Sequence, residues 1–146
     1  MSIREATTAD IEALRNIRKR FQSSVLGNDS EEIGLPTIEE DVSNGNGCCL
    51  VYEVDGQIAG FIYAQHLKSD DKRTGRVYLS IKPEYEGNWY GLNLYRACET
   101  RLKVKGYSAI VFATTHGNRV IKWMGEKFGF EFSGTEGSLD FYKKSL

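Results

Sequence analysis

The chain has 146 residues, and its 19 Lys and Arg nearly balance its 20 Asp and Glu, for a net charge of −1. This balance gives no indication of nucleic-acid binding, and the longest apolar runs, such as residues 109–113, are far too short to span a bilayer. With 40% hydrophobic and 12% aromatic residues, the chain can bury a core as a single domain, which we place at residues 1–146.

The cysteine pattern and the N-terminus bear on location. Cys48, Cys49 and Cys98 lack metal-ligand spacing, so we expect buried free thiols in a reducing compartment and no metal site. Residues 1–10 lack a signal-peptide pattern. We therefore expect a cytoplasmic protein without a membrane partner. The sequence does not decide between a monomer and a homodimer.

The first forty residues predict a strand, a helix and a polar segment. Residues 2–6 favour a short strand, and Thr7, Thr8 and Asp10 are typical of a helix start. The apolar face of this helix is Ile11, Leu14, Ile17 and Phe21. A second, short helix over residues 37–42, capped by Thr37, follows a loop.

Acidic residues without intervening Lys or Arg mark this polar segment: Asp29, Glu31, Glu32, Glu39, Glu40 and Asp41. A negative surface attracts cations. The alternative is an ordinary solvated acidic face.

Three antiparallel strands follow in the predicted order. Residues 49–54 and 58–67 flank Asp55-Gly56, a strong two-residue hairpin signal. Residues 69–75 indicate a charged loop that makes another hairpin connection, into the third strand, residues 77–81, where apolar and polar residues alternate.

The chain then changes from strand to helix across a glycine-bearing loop, Pro83 to Gly91. Helical spacing of apolar residues continues to a stop at Gly106. Such a junction aims backbone N–H groups at one point, which suits a phosphate; often it only turns the chain. Residues 108–114 predict a strand parallel to residues 77–81.

The last part of the chain predicts a helix and a hairpin. Asn118 begins the helix, which ends at Gly129-Phe130 and has an apolar face of Ile121, Met124 and Phe128. A final hairpin turns about Gly137-Ser138.

Two segments carry a family resemblance. Leu79 to Tyr85, followed by Gly87-x-x-x-Gly91, resembles the central motif of the GNAT superfamily of N-acetyltransferases. NRVIKWMGEKFGF, from Asn118 to Phe130, is similar to that family's second signature. The resemblance implies a mixed α/β fold of order β-α-(α)-β-β-β-α-β-α-β-β and acetyl-CoA as cosubstrate.

The resemblance also implies site residues. Those expected to hold acetyl-CoA are Ile81, Lys82, Glu86, Gly87, Asn88, Trp89, Tyr90, Gly91 and Asn118. A backbone N–H near Ile81 or Lys82 would stabilise the oxyanion, and Glu39 and Glu40 would line the acceptor site. The acceptor would be a small-molecule or peptide amine, and a cationic one is favoured by the acidic segment.

Four positions depart from the family pattern. Glu86 stands at the usual Arg or Gln, Trp89 at a required Gly, Gly125 at the Tyr that acts as general acid, and Ala113 at a Glu that acts as base. His116 and Tyr90 are the candidate acid–base residues in their place, with Tyr85 and His66 as weaker ones.

The hypothesis that we favour is an acetyl-CoA-dependent N-acetyltransferase that relies on backbone groups to stabilise the oxyanion. The alternative, based on the four departures, is a domain of this fold that binds a ligand or protein partner without turnover, with Trp89 and Tyr90 as aromatic anchors. A third reading is an unrelated α/β domain.

Overall fold

A mixed seven-stranded sheet forms the centre of the computed structural model, which describes residues 2–20, 35–69, 72–115 and 125–146. The strands are β1 (Ser2–Glu5), β2 (Cys48–Val54), β3 (Gln57–Ser69), β4 (Lys72–Ile81), β5 (Ala109–Thr115), β6 (Glu131–Glu136) and β7 (Leu139–Ser145). Their spatial order is β1-β2-β3-β4-β5-β7-β6. Among the strands of the described residues, only β4 and β5 pair in parallel, and the predicted mixed sheet is confirmed.

Within the described ranges, three α-helices pack on this sheet: α1 (Ile11–Arg20), α2 (Ile38–Asn44) and α3 (Tyr90–Val104). Short 3-10 turns span Thr8–Asp10 and Pro83–Tyr85, and residues 125–127 are helical. None of the helices in the described part of the chain is long and apolar enough to cross a membrane.

The β2–β3 and β3–β4 hairpins fix the first half of the sheet. Asp55 and Gly56 both have positive φ, 52° and 77°, as the predicted two-residue turn requires. The predicted hairpin connection is confirmed, but its loop is shorter than residues 69–75, because β4 begins at Lys72, which pairs with Ser69. Lys and Gly are depleted in strands on propensity alone, but the long ladder with β3 outweighs that preference.

Strand alternation divides the core into two layers. Leu50, Ile62 and Val77 face α3, whereas neighbouring residues such as Val51 and Phe61 face α1 and α2. Helix α3 buries Leu94, Cys98 and Leu102, spaced four residues apart. Its predicted end is confirmed, since Gly106 takes φ +85° just after it.

The start of α2 differs from the prediction. Thr37 is the N-cap residue, but it has φ 63° and its side chain makes no capping hydrogen bond. The hydroxyl instead lies 3.1 Å from the Tyr63 hydroxyl and accepts from Gln65 Nε2 at 3.2 Å. The Thr37 side chain therefore connects α2 to β3 and does not cap the helix.

Candidate active site

Strands β4 and β5 diverge near the middle of the sheet. They pair only where Thr74–Arg76 meets Ala109–Val111. Beyond that point β4 runs on to Ile81 beside β3, and β5 runs on to Thr115 beside β7. The two strands therefore leave a gap between them, which we call the β4–β5 gap.

The hydrogen-bond pattern shows which backbone groups of β4 face this gap. Lys82 N–H donates to Ala59 O at 2.9 Å. Because groups alternate along an antiparallel ladder, the N–H of Ile81 and the carbonyl of Leu79 point away from β3. Of the two predicted oxyanion donors, the Lys82 N–H is thus used by the sheet and the Ile81 N–H faces the β4–β5 gap.

Arg18 confirms this direction for Leu79. Its guanidinium, fully buried, donates from Nη1 to Leu79 O at 3.1 Å and to Ser80 Oγ at 3.3 Å. It also lies 5.3 Å from the centre of the Tyr78 ring. A side chain from α1 therefore donates a hydrogen bond to the Leu79 carbonyl. If the pairing of β4 with β5 continued this far, β5 would supply that donor.

Sequence reasoning missed Arg18, because it placed the basic residues of α1 mostly off the apolar face. The available signal was its position four residues after Leu14, on the same side of the helix. Because arginine is rarely fully buried, its charge argued against assigning it to the buried face of α1.

The loop before α3 is ordered by its own side chains and turns. Gly87 takes φ +80°, and Asn88 Nδ2 donates to the carbonyls of Tyr85 and Glu86 at 3.2 and 3.3 Å. Trp89 is the N-cap residue of α3. Since an indole carries no hydrogen-bond acceptor, it cannot cap the first N–H groups of the helix.

Trp89 occupies the position where the family pattern has glycine, and it shows why glycine suits that position. Its φ is +64°, in the left-handed region that favours glycine. The indole is 72% exposed, so it packs little against the described protein atoms.

Gly91, in the first turn of α3, is not required by internal packing. A Cβ added there would lie 3.6 Å from Leu79 Cδ2 and 3.7 Å from Ile81 Cγ1, which is ordinary contact. Glycine within a helix costs roughly 0.5–1 kcal/mol relative to alanine. Its use here is consistent with close approach of a ligand from outside.

Aromatic rings support the start of α3. The Tyr90 ring lies 4.4 Å from Tyr52 and 6.0 Å from Tyr85, measured between ring centres. Tyr90 and Tyr85, both predicted as possible proton donors, are therefore packed together beside the loop. Their catalytic role stays a prediction.

The acidic residues of α2 have three different environments. Glu39 forms a two-pronged ion pair with Arg15, which holds the pKa of its carboxyl below the usual value. Asp41 is buried, and its Oδ2 accepts from Tyr63 Oη at 2.5 Å and from His66 N–H at 3.0 Å. Glu40 is exposed. Asp29, Glu31 and Glu32 lie outside the described residues.

A polar chain continues from Asp41 across this face of the sheet. Burial and the bond to Asp41 raise the pKa of Tyr63, which keeps it a proton donor. Tyr78 Oη in turn donates to Gln65 Oε1 at 3.1 Å. These contacts connect α2 with β3 and β4, beside the β4–β5 gap.

The positions that lack the family's acid and base are closely packed. Gly125 is buried, and a Cβ there would lie 3.1 Å from Phe112 Cζ, so a tyrosine would require Phe112 to move. Ala113 is 2% exposed and pairs with Phe141. His116 and Asn118 lie outside the described residues.

His66 lies away from the loop. Its Nδ1 is 2.6 Å from Tyr107 Oη, and Tyr107 follows the C-terminal end of α3, whereas the loop precedes the N-terminal end. This histidine and the phosphate loop are thus at opposite ends of the helix.

Comparison with known proteins identifies a protein family. Residues 11–130, which make up most of the chain, match the family model described as acetyltransferase (GNAT) family.

Solved structures share this fold over nearly the whole chain. PaiA N-acetyltransferase from Thermoplasma acidophilum, in complex with coenzyme A, has a TM-score of 0.75 at 22% identity over 99% of this chain and 98% of that one. Ribosomal-protein-alanine N-acetyltransferase from Brucella melitensis has 0.77 at 20% over 100% of both chains. YncA from Salmonella typhimurium, a putative acetyltransferase with its cofactor acetyl-CoA, has 0.77 at 18% over 100% and 94%.

Proposed function

Because the chain belongs to the acetyltransferase (GNAT) family, we propose that it transfers the acetyl group of acetyl-CoA to a primary amine. The observation that carries this proposal is the open edge of β4, where the Ile81 N–H faces the β4–β5 gap next to the start of α3. The carbonyl oxygen of a thioester in that gap would accept a hydrogen bond from this backbone N–H, and no catalytic side chain would be needed.

The proposed reaction is direct attack. The neutral amine adds to the thioester carbonyl, the Ile81 N–H stabilises the negative charge that develops on its oxygen, and the tetrahedral intermediate expels the CoA thiolate. Positioning of the two substrates supplies much of the remaining acceleration. This mechanism tolerates Gly125 and Ala113 at the positions of the family's acid and base.

The start of α3 would hold the pyrophosphate of acetyl-CoA. Its first N–H groups have no partner within the helix and no cap from Trp89, and helix N-termini favour anions. Gly91 leaves room for close approach. Glu86, exposed in the preceding loop, opposes the dianion, so binding weaker than with an Arg or Gln there is expected.

The lack of a strong base bears on the acceptor. Deprotonating a lysine-like amine of pKa about 10.4 costs roughly 4.6 kcal/mol at pH 7, whereas an α-amine near pKa 8 costs only about 1 kcal/mol. We therefore favour an amine of low pKa, with His116 or Tyr90 as the candidate proton carriers.

Two assays together test this function. Acetyl-CoA at one hundred times its Kd stabilises a protein by about 2.7 kcal/mol, so the unfolding midpoint should rise by several degrees. Release of free CoA thiol in the presence of an amine panel should then follow. A midpoint that does not move with millimolar acetyl-CoA would contradict the proposal.

The second candidate function is binding without turnover, and the 72% exposed indole of Trp89 favours it. It predicts a thermal shift with CoA or another ligand but no thiol release with any amine. Trp89→Ala would then weaken the interaction while leaving the fold unchanged.

A cationic acceptor is the more specific part of the proposal. Because Arg15 neutralises Glu39 and Asp41 is buried, exposed Glu40 is the described α2 acid best placed to attract it. Glu40→Gln should raise the KM of a cationic amine several-fold at low salt and flatten its salt dependence. Glu136→Gln, on the exposed edge strand β6, is the control. An unchanged KM and salt dependence would remove the steering role.

A further inference from the structure

The outward face of α3 carries an aromatic and a basic side chain near the proposed pyrophosphate site. The buried residues Leu94, Cys98 and Leu102 define the side of the helix that faces the sheet. Trp89 and Arg96 are seven residues apart, which is about two helical turns, so they lie above one another on one side of the helix. That side is opposite to the buried one, and both residues are exposed.

The indole of Trp89 is presented to solvent by an ordered loop. It is 72% exposed, whereas tryptophan is highly buried on average. The backbone before it is held by the hydrogen bonds that Asn88 Nδ2 donates to the carbonyls of Tyr85 and Glu86. Directly after it, Tyr90 packs in the aromatic group described above. Most of the indole surface is therefore open to a ligand, while the backbone that carries it is fixed.

Arg96 supplies a positive charge on the same face of α3. Its guanidinium forms no ion pair with a carboxylate of the described residues, whereas Arg101 in the same helix lies 3.8 Å from Glu5. Seven residues of α-helix rise about 10 Å, and the long side chains of a tryptophan and an arginine can span that distance together. The two side chains can therefore contact one ligand.

The proposed acetyl-CoA site limits where the rest of that molecule can lie. One side of the CoA pyrophosphate carries the pantetheine arm, and the other side carries an adenosine with a 3′-phosphate. In the proposed function the arm runs from the start of α3 into the β4–β5 gap past Gly91, where an added Cβ would contact Leu79 and Ile81. The adenosine must leave the pyrophosphate in another direction, and the outward face of α3 begins there, at Trp89.

We propose that Trp89 and Arg96 bind the 3′-phosphoadenosine part of CoA. The indole stacks on the adenine, and the guanidinium binds the 3′-phosphate. Every base has a flat π-face that an aromatic side chain can stack on, and arginine matches phosphate oxygens with parallel N–H donors. This inference rests on the proposed acetyl-CoA site. A residue that departs from the family pattern, Trp89, would then contribute affinity and offset part of the repulsion from Glu86.

Calorimetry with CoA and with dephospho-CoA, which lacks only the 3′-phosphate, tests both contacts. Trp89→Ala should weaken the binding of both ligands about tenfold, and Trp89→Phe should restore most of the affinity, because a flat ring remains. Arg96→Gln should weaken CoA binding about fivefold and leave dephospho-CoA binding unchanged. The control is Lys103→Gln, which removes another exposed cation from this face of α3, about two turns further along, and should change neither affinity.

The possible outcomes separate this inference from the proposed function. If the native chain binds neither ligand, the proposed acetyl-CoA site is wrong, and this inference is wrong with it. If the native chain binds CoA but Trp89→Ala binds it equally well, or Arg96→Gln weakens both ligands equally, the inference is overturned while the acetyl-CoA site stands. Because both side chains are exposed, the unfolding midpoints of the variants without ligand should match that of the native chain, so a loss of affinity reports a lost contact.

Discussion

The two edges of β4 are built differently. Its edge toward β3 is paired without interruption from Gly60–Ile81 to Ser69–Lys72, whereas its edge toward β5 is paired at three positions only. The same strand is thus closed on one side, where it supplies stability, and open on the other, where its backbone groups face a gap. Changes at the closed edge should affect folding, and changes around the open edge should affect ligand binding.

The largest effect is expected at the closed edge. A Cβ at position 60 would lie 2.5 Å from Ile81 Cδ1 and 2.6 Å from the backbone oxygen of Ser80, so β3 and β4 would have to separate. Gly60→Ala should lower the free energy of unfolding by about 2 kcal/mol, measured by urea denaturation. A variant as stable as the native protein would show that the closed edge is not tightly packed.

Arg18 is the exception at the open edge, because it stabilises the fold there by binding the Leu79 carbonyl. Arg18→Met leaves that buried acceptor without this donor and should cost about 2 kcal/mol of stability, again by urea denaturation. Lys19→Met, on the exposed face of α1, is the control and should be nearly neutral. Equal stability of both variants would contradict the role assigned to Arg18.

At the open edge, Gly91→Ala should separate binding from stability. Alanine fits the protein's own atoms and favours a helix, so the unfolding free energy should stay level or rise by up to about 1 kcal/mol. Affinity for acetyl-CoA should fall about tenfold, which corresponds to about 1.4 kcal/mol, measured by calorimetry. Asn93→Ala, exposed one half-turn later, should leave the affinity unchanged; equal affinities for the two variants would refute the close-approach argument.

The smallest effect concerns charge in the loop. Glu86→Gln removes a negative charge beside the proposed pyrophosphate site, and acetyl-CoA affinity should rise about fivefold at low salt, equivalent to about 1 kcal/mol. The gain should shrink at high salt, because exposed charges are screened. Glu136→Gln serves as the control. A loss of affinity in Glu86→Gln would reverse the assigned role of this residue.

Most of the fold was predictable because its signals are local. Alternation marked β4 at residues 77–81, Asp55-Gly56 marked a hairpin, and Gly106 marked the end of α3. The start of β4 at Lys72 was not predictable in this way, since residues 72–76 show no alternation of apolar and polar side chains and become a strand through their pairing with β3.

The site was predictable in part, for the same reason. The loop and Gly91 are visible as a local motif, and Ile81 as the end of a strand. Which N–H of Ile81 and Lys82 faces the β4–β5 gap depends on register, and the role of Arg18 depends on packing between α1 and β4. The four-residue spacing from Leu14 places Arg18 on the buried side of α1, but nothing local to the sequence shows which carbonyl it binds.

Amide hydrogen exchange of Ile81 and Lys82, followed by NMR with and without acetyl-CoA, tests the open edge most directly. The Ile81 amide should exchange more slowly, and its resonance should shift, when acetyl-CoA is bound, whereas the Lys82 amide, already bonded to Ala59, should change little. Saturating acetyl-CoA that leaves the Ile81 amide unchanged, or that changes both amides equally, would contradict the proposal that the open edge of β4 holds the thioester.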